Sequence, residues 1–214
     1  TLGCTSVICS DKTGTLTTNK MTVRVASVVS GSDVALFEVE GNSYNPQGNI
    51  KSGGQKVTNL LDHKALQECA KIGTLCNDAT ILYDADTKEY QRNGEPTEAA
   101  FKVFAEKVGL PEASIEKARA AKKPIDRITA VSDYYMKEFP KLRTHEFTRD
   151  RKSMSVVVGI DTLVLKGAYE VILSHCDRYL DDASGEVRDL TEDVRNKLLN
   201  TQKDWSTGKN CYRC

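Results

Sequence analysis

Nothing in this sequence approaches the roughly 20 consecutive apolar residues that a membrane-crossing helix needs. Runs such as Val156-Val157-Val158 and Leu163-Val164-Leu165 stop after three residues. The chain also lacks an excess of charge. Thirty Lys plus Arg balance thirty Asp plus Glu, which excludes a global field drawing the protein to nucleic acid or to an anionic membrane. Thr1-Leu2-Gly3-Cys4 carries neither a charged leader nor a long apolar run, so no secretory leader is expected. Histidine is scarce: His63, His145 and His175 are dispersed without metal-ligand spacing, and structural or surface roles are expected of them. There is no Asn-x-Ser/Thr acceptor. The seven cysteines (Cys4, Cys9, Cys69, Cys76, Cys176, Cys211 and Cys214) are odd in number and scattered, which fits free thiols in a reducing compartment. Cys211-Tyr212-Arg213-Cys214 spells C-x-x-C, but without a second Cys or His pair it is read as coincidence.

What remains is enough for one full domain and a piece of a second. Thr5-Ser6-Val7-Ile8-Cys9 is an apolar run ending in Ser10-Asp11, the pattern of a buried parallel strand delivering a carboxylate at its end. No comparable run recurs, so it reads as a strand left over from another domain. From Met21 the pattern becomes alternating: Val23, Val25 and Ser27 imply a strand, with residues 36–40 as its partner. Asn45-Pro46-Gln47-Gly48 and Ser52-Gly53-Gly54 are loop chemistry. Leu66, Cys69, Ala70, Gly73 and Cys76 mark one face of a helix over residues 60–75. Residues 81–83 and 89–91 form a hairpin. Ala100, Val103, Phe104 and Val108 line a second helix, entered at Gly94-Glu95-Pro96-Thr97 and stopped by Gly109.

A charged, exposed helix is expected over 111–122 and a further helix over 124–137. Strands follow over 142–148, 152–159 and 162–166, then a short helix from Ala168 and a closing helix over 190–205 capped by Thr191. Adjacent strands without strand–helix–strand alternation predict an α+β fold, an antiparallel sheet flanked by helices.

Two constellations carry chemistry. In Ser10-Asp11-Lys12-Thr13-Gly14-Thr15-Leu16-Thr17, a strand-end carboxylate can attack a phosphoryl group and form an acyl phosphate. Gly14 lets backbone N–H groups turn towards phosphate oxygens, while Lys12 and the hydroxyls add charge and donors. The plain alternative is a strand followed by a polar turn. The second is the surround of Phe147. On an extended strand Phe147 and Arg149 share a face, and Arg149-Asp150-Arg151-Lys152 is a net basic turn beside them. Lys166-Gly167-Ala168 sits at a strand end, where glycine permits close approach of a ligand. Together these would supply stacking surface and phosphate-binding cations for a nucleotide. Equally, Phe147 would be core and the basic turn a solvated face.

The string Asp11-Lys12-Thr13-Gly14-Thr15-Leu16-Thr17 resembles the phosphorylation signature of P-type ATPases. Haloacid-dehalogenase-like phosphatases carry a second Asp where Thr13 stands here. Glu146-Phe147-Thr148-Arg149-Asp150-Arg151-Lys152-Ser153-Met154-Ser155-Val156 is similar to the ATP pocket segment of the calcium pumps of the sarco/endoplasmic reticulum. Lys166-Gly167-Ala168 and the Thr-Glu pair in Gly94-Glu95-Pro96-Thr97-Glu98 match motifs of that family, and Cys76-Asn77-Asp78 at the end of the first helix is another of its landmarks.

The resemblance implies residues 1–19 as the start of an α/β phosphorylation domain and hinge, and residues 20–214 as a nucleotide-binding domain. It implies Asp11 as phosphate acceptor with Lys12 and Thr13 around it, and Asp11 and Thr13 as magnesium ligands. Phe147 would stack on adenine, Arg149 and Lys152 face the nucleotide's polar side, and Lys166 and Gly167 belong to the pocket. Thr97 and Glu98 form the Thr-Glu pair, with Glu98 reading the adenine amino group, and Arg213 meets the inner phosphates.

ATP and Mg2+ would be the cofactors, and Ca2+ the transported ion, bound outside this segment. The partners would be the remaining phosphorylation, actuator and transmembrane domains of a parent pump at the cytosolic face of the reticulum membrane. By itself the segment is expected to bind ATP without turnover. The rival readings are a soluble haloacid-dehalogenase-like phosphatase with a cap domain and a non-catalytic ATP-sensing module. Two departures stand out: Tyr169 replaces the usual Pro after Lys-Gly-Ala, which would shift the following loop, and the turn between Val158 and Leu163 is short.

Overall fold

The computed structural model describes residues 20–120 and 128–207. The run of residues 5–9, the phosphorylation motif with Asp11, Lys12 and Thr13, and Arg213 all lie outside the described residues.

The alternation after Met21 leads into a strand that begins only at Val25, leaving Val23 before it. β1 (Val25–Ser30) pairs antiparallel with β2 (Asp33–Val39) through a tight turn at Gly31. β3 (Ile50–Ser52) and β4 (Gln55–Lys56) extend the sheet in the order β1-β2-β3-β4. These two short strands flank the glycine pair that reads as loop; the sequence around them is too short and polar to announce itself. After a 3-10 turn at Leu60–Asp62 comes α1 (Lys64–Leu75). Leu66, Ala70 and Gly73 are buried on one side of it as their spacing predicts, whereas Cys69 is exposed. β5 (Thr80–Asp84) and β6 (Glu89–Asn93) make the expected hairpin.

Helix α2 (Pro96–Val108) begins with proline at its first position, where the missing N–H costs nothing, and stops at Gly109, whose φ of +88° suits glycine. α3 (Ala113–Ala120) and α4 (Ala130–Glu138) follow. Of the helix expected over 124–137, residues 124–127 lie outside the described residues and 128–129 form a turn, so α4 begins at Ala130. Glu106 of α2 supplies its cap from outside, accepting hydrogen bonds from the Val131 and Ser132 N–H groups at 3.0 and 3.1 Å. Burial pushes that carboxyl up to about 8.

The last part opens with a second antiparallel sheet, β7 (Lys141–Thr148), β8 (Ser153–Val158) and β9 (Thr162–Gly167). The short turn after Val158 is a closed hairpin, with Gly159 at φ +61° and Val158 paired to Thr162. α5 (Tyr169–Ser174) starts directly at Tyr169. That is the first helical position, one where proline is favoured. A hairpin of β10 (Arg178–Leu180) and β11 (Val187–Asp189), unannounced by the sequence, precedes α6 (Glu192–Ser206). Thr191 caps α6 by accepting from the Val194 N–H.

The architecture is thus α+β, with antiparallel sheets and flanking helices; among the described residues the single expected sheet is two sheets and two hairpins. α1 holds them together. Its Leu66, Ala70 and Leu75 join Phe37, Val39 and Ile50 of the first sheet, Met154, Val156 and Val158 of the second, and Phe104 of α2 in one core. Fully burying a side chain such as Leu66 stabilises the fold by about 1.5–3 kcal/mol.

Candidate functional site

The ends of α1, α2 and the second sheet meet at one edge of the molecule. β7 and β8 pair in register from Thr144↔Val156 to His145↔Ser155, then skip to Thr148↔Ser153. Glu146 and Phe147 therefore stand opposite the single residue Met154, a β-bulge that re-aims side chains. Met154 pairs in turn with Lys166 on β9, so the bulge and Lys166 occupy one row across the sheet.

Phe147 is 57% exposed near the end of β7, although Met154 opposite it on β8 is buried. A large aromatic left open there is not core, which answers the plain alternative for this residue. Arg149 also differs from its expected placement. β7 ends at Thr148 and the bulge breaks the period of two, so Arg149 lies in the turn rather than on a strand face. Both Arg149 and Lys152 are exposed.

Lys152 closes the turn in the left-handed region, φ +48°, a conformation that costs a non-glycine residue about 1–2 kcal/mol. Its N–H donates to the Thr148 carbonyl and its own carbonyl accepts from the Ala168 N–H, both at 2.8 Å, tying the β7–β8 turn to the end of β9. Gly167 is needed at this junction. A Cβ there would sit 2.5 Å from the Lys152 carbonyl oxygen and 2.7 Å from the Ser153 Cβ. The close approach that this glycine permits is to the chain's own turn.

Lys166 meets Glu98 of α2, Nζ to Oε1 at 2.5 Å, across a separation of 68 residues. Both side chains are mostly covered, at 20% and 16% exposure. The other carboxylate oxygen, Oε2, accepts from the Asp78 N–H at 3.1 Å. Sequence reasoning treats Glu98 and Lys166 as separate contacts; the fold makes them one pair. Thr97, one residue earlier, is exposed on the first turn of α2 with its hydroxyl 3.5 Å from the Met21 sulfur.

Behind the pair stands Cys76-Asn77-Asp78. The Cys76 thiol, whose pKa burial raises, donates to the Met154 carbonyl at 3.4 Å. The Asn77 amide donates to Gly73 O and Glu98 O at 2.8 and 2.7 Å, and its Oδ1 accepts from the Ala79 N–H. Lys141 bridges the Asn77 carbonyl and the Asp78 carboxylate. Burial, with Lys141 nearby, brings the Lys102 ammonium on the same helix as Glu98 down to about 8. The resemblance marks Cys76-Asn77-Asp78 as a family landmark without giving Asn77 a role, and Lys141 carries no signal in the sequence.

Chemically, this edge offers an open aromatic face, a semi-buried ammonium oriented by a carboxylate, and exposed cations on an adjoining turn. A groove of about 430 Å3 lies at the opposite end of α2, lined by Lys56, Glu106, Lys107 and Arg119 among others. Its cations are largely committed: Lys107 donates to the Glu40 carbonyl, and Arg119 is held by Glu116 at 2.7 and 2.8 Å. The groove presents no aromatic surface, so the Phe147 edge is the better equipped of the two.

Comparison with known proteins identifies the family. Residues 65–214 match the family model of the P-type ATPase cytoplasmic domain N. The whole chain is similar, at 39% identity, to calcium-transporting ATPase 3, endoplasmic reticulum-type, from Arabidopsis thaliana, covering 22% of that protein. It is 40% identical over 93% of its length to the endoplasmic reticulum calcium ATPase srcA of Aspergillus fumigatus, covering 21% of it. It is also 39% identical over 99% of its length to calcium-transporting ATPase 2, endoplasmic reticulum-type, from Arabidopsis thaliana, again covering 21%. The chain therefore spans about a fifth of the length of these relatives. With the α+β architecture and most of its length matched by the family model, the chain belongs to the P-type ATPase family, in its cytoplasmic domain N.

Proposed function

We propose that this chain binds ATP as the nucleotide-binding part of a calcium-transporting P-type ATPase of the endoplasmic reticulum, on the cytosolic side of the membrane. The observation that carries the reading is the row joining the exposed Phe147 at its bulge to Lys166, which Glu98 holds from α2. Phe147 offers its face to the adenine. Lys166 presents its ammonium beside the base, while Arg149, Lys152 and Arg213 take the polar side and the inner phosphates. Thr97 and Glu98 border the adenine edge, where a carboxylate favours an amino donor over a carbonyl.

In the parent pump a carboxylate oxygen of Asp11 attacks the terminal phosphorus of ATP. The bond from that phosphorus to its bridging oxygen breaks, and ADP leaves as the acyl phosphate forms. Lys12 and Thr13 steady the transferred group. Among the described residues no group of three or more His, Cys, Asp or Glu converges. The resemblance to the phosphorylation signature points to Asp11 and Thr13 as the residues that would hold magnesium, which would offset phosphate charge. The domain boundary falls between residues 19 and 20, and the pump's remaining domains are the partners.

An ATP titration of this chain by calorimetry tests the proposal. Saturable binding is expected, with no sustained phosphate release. Binding that follows ligand charge alone, with inorganic triphosphate competing as well as ATP and salt erasing both, overturns it. Steady phosphate release abolished by Asp11→Asn would instead establish the phosphatase reading.

A further inference from the structure

Cys76-Asn77-Asp78 is tied to Met154 of β8, to Glu98 at the start of α2 and to Lys141 of β7, and so holds these elements from behind. We infer that Asn77 is a positioning residue for the nucleotide site: it fixes the start of α2 so that the Glu98 carboxylate meets Lys166. The inference rests on the nucleotide-binding reading above and adds to it a residue whose side chain reaches only other parts of the protein.

Asn77 is 1% exposed, and all three of its side-chain hydrogen bonds go to backbone. One of its amide protons goes to Gly73 O, in the last turn of α1. Another goes to Glu98 O, in the first turn of α2, 21 residues away. Its Oδ1 receives the Ala79 N–H, which fixes the bend leading into β5. The next residue presents its backbone N–H to Glu98 Oε2 at 3.1 Å, and so stands beside the carboxylate whose main chain Asn77 holds. Glu98 is thus restrained at its carbonyl by Asn77, at one carboxylate oxygen by the Asp78 N–H, and at the other by Lys166.

The carbonyl oxygens of an α2 first turn are ordinarily engaged within the helix, so a side chain that also anchors one from outside ties the helix to its neighbour. An amide suits this position because it donates twice and accepts once; aspartate, its closest isostere, can only accept when ionised. Replacing Asn77 by Asp keeps the bond from Ala79 and removes both donated ones. The expected consequence is a rotation or fraying at the first turn of α2 that withdraws the carboxylate from Lys166 without touching Phe147.

The test is a double-mutant cycle on the whole chain with ATP as ligand, combining Asn77→Asp with Glu98→Ala. Asn77→Asp in the otherwise unchanged protein should weaken ATP binding about tenfold, the size of one hydrogen-bonded contact. In the Glu98→Ala background the same change should make no further difference, because the group it positions is gone. Equal losses in both backgrounds overturn the inference and leave Asn77 a general fold residue. A second readout needs no nucleotide: the side-chain 15N resonance of Lys166 should move in Asn77→Asp as it does in Glu98→Ala. A Lys166 signal that ignores Asn77→Asp also overturns the inference. If the unaltered chain fails to bind ATP, the nucleotide reading falls, and the Lys166 resonance alone decides whether Asn77 sets the pair. Should Asn77→Asp not fold, Asn77→Ser, neutral and smaller, carries the same cycle.

Discussion

The two ends of α1 are closed by buried polar side chains that came from opposite distances. At its start, Asp182 accepts from the Ala65 and Leu66 N–H groups at 3.0 and 3.4 Å and meets His63 Nδ1 at 2.7 Å. Asp182 arrives from the turn between β10 and β11, 117 residues along the chain from Ala65. Its neighbour Asp181 anchors the Gly31 N–H, Ser184 and Arg188 on the other side. At the far end Asn77, four residues from Gly73, does the closing. The long-range cap pins a hairpin onto the core and serves stability. The local one passes its hold on to Glu98 and hence to the candidate site. The same helix is thus anchored once for the fold and once for the chemistry.

The comparison is broken most sharply at Asp182. Asp182→Ala leaves two helix N–H groups and His63 without an acceptor in a buried place, and should cost about 3 kcal/mol of stability. Urea unfolding followed by Trp205 fluorescence reads the loss. ATP affinity of the folded protein should stay put, and a parallel fall in affinity would mean that the two ends are not separate.

Gly167→Ala should erase the separation from the other side. The new Cβ meets the Lys152 carbonyl and Ser153, so about 1–3 kcal/mol of overpacking strain is expected, and ATP binding should weaken with it because the turn carrying Lys152 must move. Affinity unchanged in a destabilised Gly167→Ala protein would detach this junction from the site.

Phe147→Ala acts on chemistry alone. The ring is already exposed, so stability should change by under about 0.5 kcal/mol. Loss of stacking should weaken adenosine and ATP binding alike by about 1–3 kcal/mol. Calorimetry on both ligands decides; a loss confined to ATP would show that the ring does not carry the base.

The smallest effect calibrates the first. Thr191 caps α6 from the adjacent residue, with only the Val194 N–H at stake. Thr191→Ala should cost about 1 kcal/mol, less than the remote cap, with nucleotide binding untouched. A loss equal to that of Asp182→Ala would show that distance along the chain adds nothing to a cap.

Much of this fold is legible wherever the deciding contact is local. Pro96 and Gly109 bracket α2 because one lacks an N–H and the other tolerates positive φ; Thr191 announces α6 by its own hydroxyl. The hairpin of β5 and β6 is announced by the polar turn between its two runs. The phosphorylation-type string and the segment around Phe147 carry the family by themselves. What needed the tertiary structure was every relation across distance. That Phe147 stands on a bulge, and so shares a row with Lys166, depends on how β7 registers against β8. That Gly167 makes room for the chain's own turn depends on where Lys152 folds back. Glu98 and Lys166 are 68 residues apart, and Asp182 and Ala65 are 117 apart. No pattern of residues close in sequence encodes such a meeting, because it is fixed only when the shared core closes and leaves each buried polar group one partner within reach.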